Sequence, residues 1–185
     1  MIGLAMPPCR RCDVPVGRLR RRLLLAMALA AAVAAAADVP SIAVLGFELI
    51  DDQHELAPAG PEYQRLAAIT RQLGTELQSR RWYRVVDTSA VQPMIDRLRA
   101  LQNLRECNGC ELDIARALKA DRVLVGWVQK VSNLILNINI RIEDVSSGAV
   151  VLQKSVDIRS NTDESWRRGI DAILRDMQDQ GQGGR

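Results

Sequence analysis

Two cysteines spaced C-x-x-C, Cys107 and Cys110, stand just ahead of a short helical pattern in the stretch CNGCELDIA. That spacing serves four chemistries: thiol redox catalysis, half of a metal site, haem attachment, or a disulfide staple. A c-type haem needs histidine directly after the second cysteine, and Glu111 stands there. Structural zinc takes four ligands. Beyond the N-terminal segment treated below, the chain offers only these two cysteines and His54, so neither a metal nor another cofactor is expected. Redox catalysis is the serious rival to a staple, because a cysteine at a helix N-terminus has a lowered pKa. In a thioredoxin-like order, however, the pair follows the first core strand, whereas here it follows two complete β-α units. A disulfide fixing a helix-helix corner is the leading reading. The alternative is a thiol-disulfide oxidoreductase, with Cys107 attacking and Cys110 resolving.

Compartment decides which cysteine chemistry is the default. Arg18, Arg20, Arg21 and Arg22 precede an unbroken apolar run, Leu23 to Ala37, that ends in three alanines before Asp38. A basic region, an apolar region and small residues at a cleavage point form a secretory signal peptide. The run is shorter than the ~20 residues of a spanning helix, so cleavage after Ala37 is expected, leaving no stable membrane anchor. The segment before Arg18 is long for such a signal, and the expected translation start lies downstream of Met1. Export places the remainder in the periplasm, where a disulfide is the ordinary state of a close cysteine pair.

Removing residues 1–37 takes six arginines and one aspartate, leaving 19 basic against 21 acidic side chains from totals of 25 and 22. The basic character therefore belongs to the signal, and a nucleic-acid partner has no electrostatic footprint. About 148 residues remain, enough for one core. Residues 38–178 are expected to form a single domain, and 179–185 a flexible, Gly-rich tail.

Two further groups of residues are candidates for contact. Asp51, Asp52 and His54 follow the first strand pattern, the position where ligands of α/β sheets gather, although nothing accompanies them as a nucleophile. Lys130, Ser132, Asn133, Asn137, Asn139 and Arg141 form an amide-rich surface suited to a protein or ligand contact, and Trp127 lies beside Lys130 in sequence. No G-x-G-x-x-G, phosphate-loop or G-x-S-x-G motif is present, so no catalytic residue is assigned.

Hydrophobic periodicity supplies the elements that position these residues. SIAVLGF (41–47) reads as a strand buried on both faces. Pro61 opens a helix with Tyr63, Leu66, Thr70, Leu73 and Leu77 on its core stripe. YRVV (83–86) is a second strand. Asp87, Thr88 or Ser89 caps a helix whose stripe is Val91, Met94, Ile95, Leu98 and Leu101, and Ile114, Ala115 and Leu118 mark a short one. VLVGWV (123–128) is a central strand. Leu134, Leu136, Ile138, Ile140 and Ile142 alternate with polar positions, and Leu152, Val156 and Ile158 carry a last strand. Asn161 and Glu164 fit a capping-box start for a helix with Trp166, Ile170, Ile173 and Met177 inward. The order β-α-β-α-(α)-β-β-β-α predicts an α/β (α+β) fold with a mixed sheet. Strands joined through helices run parallel, and the last three form an antiparallel meander.

The segment CNGCELDIARALKADRVLVGWVQKVSNLILNINIRIEDVSSG (107–148) resembles an uncharacterised family of bacterial secreted proteins, the domain of unknown function 3280, also associated with the number 2380. Lys119 stands where that family's glycine is expected, which puts the left-handed helix end in question. More distantly, the arrangement resembles the N-terminal domain of the Tol-system translocation protein (TolB-like) and the curli-secretion (CsgG-like) and penicillin-binding-protein-activator lipoproteins. These resemblances imply a periplasmic accessory or binding module with a protein partner and no enzymatic activity. The first also implies a link to quinoprotein alcohol dehydrogenase systems.

Overall fold

The computed structural model describes residues 39–51 and 60–181. Along the chain they form β1 (Ser41–Asp51), α1 (Gly60–Ser79), β2 (Arg84–Val85), α2 (Gln92–Leu101), α3 (Cys110–Ala117), β3 (Arg122–Lys130), β4 (Ile135–Asp144), β5 (Val150–Arg159) and α4 (Asp163–Asp179). The sheet order is β2-β1-β3-β4-β5. β1 runs parallel to β2 and β3, while β4 and β5 continue antiparallel, so the expected mixed sheet with a terminal meander is present. The signal segment, Asp52, His54 and residues 182–185 lie outside the described residues.

Helices cover the sheet unequally. On one face α1 and α4 bury Leu66, Leu73, Trp166, Ile170 and Ile173 against Ile42, Leu124, Ile138 and Ile140. On the other face α2, α3 and a tight turn at Leu104–Glu106 bury Ile95, Leu104 and Ile114 against Ala43, Leu45, Val123 and Val125. β1 and β3 are thus sandwiched, which explains their continuous apolar runs, whereas β4 and β5 meet helix on one side only and alternate. Gly126 is glycine because a Cβ there would lie 2.5 Å from the Phe47 ring. Gly169 brings α4 close to the sheet for the same reason, its absent Cβ falling 2.6 Å from Ile138 Cδ1.

Several local expectations are corrected. Tyr63 is exposed, and Glu62 takes its place in the buried stripe of α1. Leu101 and Leu134, both expected inward, are exposed, Leu101 as the last residue of α2 and Leu134 in the turn before β4. Thr162, not Asn161, caps α4, its side chain accepting from Ser165 N at 3.2 Å. Asp87 instead accepts from Ser89 N at 2.9 Å, and α2 follows a tight turn with Val91 at its cap. Lys119 adopts φ 55°, and Ala120 N donates to Ala115 O at 3.0 Å. The left-handed helix end therefore survives without glycine, at a conformational cost.

Candidate functional site

Cys107 and Cys110 are bonded, with Cα atoms 5.6 Å apart. Asn108 and Gly109 between them are both left-handed, at φ 52° and 104°, and this double turn lets two residues span the bridge. The pair is buried in the second core, Cys107 closing the Leu104–Glu106 turn and Cys110 opening α3. Glu111, itself buried, places Oε2 3.1 Å from Cys107 Sγ and Oε1 3.4 Å from Arg141 Nη2. Arg141 Nη2 also donates to Arg105 O at 3.1 Å, and Arg141 Nε meets Glu143. Burial raises the Glu143 carboxyl, and Glu111 adds to the rise while Arg141 opposes it. Cys107, Cys110 and Glu111 hold three donor atoms within 4.8 Å, but with the sulfurs bonded to each other only the carboxylate is an anionic ligand. The corner is built as a clasp, with Arg141 tying β4 to α3.

Beyond this corner no helix among the described residues lies over the second face of the sheet. Strand register sets its composition. One row across the strands reads Glu48, Trp127, Asn139 and Ser155, and the next reads Ile50, Gln129, Asn137 and Asp157. Asn137 is the hub: its Nδ2 donates to Asp157 Oδ1 at 2.7 Å, and its Oδ1 accepts from Asn139 Nδ2 at 2.5 Å and Ser155 Oγ at 3.0 Å. Val131, Leu134 and Ile135, 43%, 70% and 50% exposed, form an apolar rim at the β3–β4 end. Glu48 stands at the boundary, accepting from Leu104 N at 2.8 Å through one oxygen.

The expected contact surface is therefore divided. Asn137 and Asn139 lie on the helix-free face, and Arg141 lies at its buried margin. Lys130 points to the opposite face, 3.1 Å from Asp51 Oδ2 and 3.0 Å from Glu62 Oε1. Its ammonium is held charged chiefly by the bond to Glu62. Glu62 also accepts from Asn161 Nδ2 at 2.8 Å, and Asn161 Oδ1 accepts from Trp166 Nε1 at 2.9 Å. This knot, at the carboxyl ends of β1 and β3, contains Asp51. Ser132 and Asn133 are turn residues: Ser132 Oγ accepts from Leu134 N at 3.2 Å, and Asn133 O accepts from Asn161 N at 2.9 Å. Gln129, Ser155 and Asp157 were missing from the expected surface. Only the register between β3, β4 and β5 brings them beside the asparagines.

Fold and site together define a one-sheet α/β domain with a cross-linked helical corner and a half-open sheet. Residues 40–177 match the family DUF3280, described as a protein of unknown function (DUF2380), and the chain belongs to that family. No curated protein matches the chain in sequence. Among solved structures, lipoprotein GNA1162 from Neisseria meningitidis is 16% identical, with a TM-score of 0.50, over 75% of this chain and 96% of that one. The C-terminal domain of LpoB from Salmonella enterica is 12% identical, with a TM-score of 0.44, over 72% and 92%. TolB from Acinetobacter baumannii is 13% identical, with a TM-score of 0.42, over 75% of this chain and 28% of that one. At such identities the likeness to GNA1162 is one of fold alone. No helix among the described residues is long and apolar enough to cross a membrane.

Proposed function

We propose that this protein is a non-enzymatic periplasmic accessory protein that binds a protein partner through the helix-free half of its sheet. The observation that carries this reading is the unequal covering of the sheet: among the described residues α2 and α3 cover the Ala43, Leu45, Val123 and Val125 part of the second face, while the rows through Asn137 and Asn139 meet no helix and open outward at Ser155 and Asp157, with Asn137 half-buried and Asn139 buried. A polar centre of amides with an apolar rim at Val131, Leu134 and Ile135 has the make-up of a contact surface rather than of a merely wet face. The basic-apolar-small N-terminal pattern supports export, and the bonded cysteine pair is consistent with an oxidising compartment. The partner class nominated by the family resemblance is a quinoprotein alcohol dehydrogenase.

Capture from periplasmic extract tests the reading, with the wild type compared with Asn137→Lys and Ile135→Lys. Ile135 is 50% exposed, so Ile135→Lys should leave the melting curve in place while the captured partner is lost, and Asn137→Lys, which also breaks the bonds to Asp157, Asn139 and Ser155, should lose the partner with a lower Tm. Equal capture by all three proteins would overturn the proposal.

A further inference from the structure

The two edges of the sheet differ in kind. One ends in β2, two residues long, and the other in β5, a ten-residue strand. No strand pairs with the outer edge of β5 among the described residues. The bond from Ser160 N to Leu134 O at 3.1 Å sets the phase of the β4–β5 ladder. From Leu152 to Arg159 the even-numbered residues of β5 turn their backbone groups to β4, and Gln153, Ser155, Asp157 and Arg159 turn theirs outward. Folded proteins blunt such an edge with proline, bulges or inward charges, or else they pair it. β5 contains no proline and keeps regular register with β4 from Leu152 to Arg159. Its one inward charge, Lys154, is paired with Asp176, 2.6 Å away, and donates a hydrogen bond to Gln180 Oε1. From Leu152 to Arg159 the edge is regular and carries neither proline nor an unpaired inward charge, the one irregularity lying before it at Val151.

We propose that it pairs with itself: two copies of the chain join their β5 strands antiparallel about a two-fold axis through Ser155, making one continuous sheet. The sequence of β5 is self-complementary in that register. Gln153 faces Asp157 of the second copy, Ser155 faces its own equivalent, and Val151 faces Arg159. On the helix side Leu152 meets Ile158, and Lys154 meets Val156. No two like charges stand opposite each other, and each Asp157 carboxylate gains an amide donor. The helix layer fits the same axis. A groove of about 260 Å³ lies between β5 and α4, with Val156 and Ala172 both on its walls. The axis therefore passes near Ala172, a small residue that lets the two α4 helices approach. Because Ser155 and Asp157 share the helix-free face, the dimer also joins the two open faces into one.

The dimer stands on edge geometry and is independent of the partner-binding reading, so loss of partner capture leaves it intact. In a hydrogen-bonded antiparallel pair the Cα atoms are about 5.5 Å apart, within disulfide reach. Under mild oxidation Ser155→Cys is expected to run as a covalent dimer on a non-reducing gel, unlike the unsubstituted protein. Gln153→Cys, which faces position 157 rather than itself, is expected to stay uncrosslinked. In sedimentation velocity the wild type should dimerise. Gln153→Asp, which sets two carboxylates against two others, should raise the dissociation constant about tenfold, and Gln153→Asp/Asp157→Lys should restore it. A wild-type protein that remains monomeric at every concentration overturns the proposal. Equal crosslinking of the two cysteine variants also overturns it, by refuting the register.

Discussion

Removing the bridge between Cys107 and Cys110 separates architecture from catalysis. The loop that it closes contains only four residues, counting the cysteines, so the chain-entropy relation assigns it about 2 kcal/mol, against about 3 kcal/mol for a fifteen-residue loop. Cys107→Ala/Cys110→Ala also deletes two sulfurs from the second core, which adds roughly 1 kcal/mol of lost packing. The expected total is about 2–3 kcal/mol, or a fall in Tm of roughly 4–12 °C for a domain of this size. Urea unfolding followed by tryptophan fluorescence measures it through Trp166, buried in the other core. A loss below about 0.5 kcal/mol would refute the staple. So would rapid alkylation of Cys107 in the reduced, still folded protein, because its sulfur is buried in the second core.

Three other outcomes are expected. Lys119→Gly relieves the left-handed backbone at φ 55° and should stabilise the protein by about 1 kcal/mol in urea unfolding. Gly126→Ala drives a Cβ to within 2.5 Å of Phe47 and should cost about 1–3 kcal/mol. The Ser146 hydroxyl and the Ser147 amide and hydroxyl hold the Asp144 carboxyl far below the ordinary carboxylate range, and the Ser41 hydroxyl and amide depress Asp121. Both groups bind protons more weakly folded than unfolded. Their contribution is therefore complete above the ordinary carboxylate range, about pH 4, and is lost as pH falls below it. Asp144→Asn should flatten the acid limb of a Tm–pH curve.

The element order was legible because each strand and helix carries its own period. The continuous runs at Ser41–Phe47 and Val123–Val128 are continuous because helices lie on both sides of β1 and β3. The alternation of Leu136 to Ile142 follows from helix on one side only. Errors arose where a partner distant in sequence decides. Glu62 is polar and reads as solvent-facing, yet Lys130 and Asn161 pull it into the core, and the stripe of α1 shifts toward it, away from Tyr63. Asn161 has the chemistry of a cap, but Glu62 and Trp166 occupy its side chain, so Thr162 takes the role.

The same distinction explains why the contact surface was only half visible. A strand reveals which of its residues share a face, and Asn137, Asn139 and Arg141 do share one. It does not reveal which residues of neighbouring strands stand beside them, since that is set by turn geometry and by the offset between ladders. The β3–β4 turn, closed by Ser132 and Ile135, puts Asn139 opposite Trp127, and the β4–β5 register puts Asn137 opposite Asp157. Lys130 follows Trp127 closely in sequence but has even parity, so it emerges among Asp51 and Glu62 on the other face. A one-residue slip in either ladder would exchange those environments, putting an ammonium among the amides and an indole into the buried acidic pair. The buried Lys130–Glu62 contact thus fixes the parity of β3, and with it which side chains the open face presents.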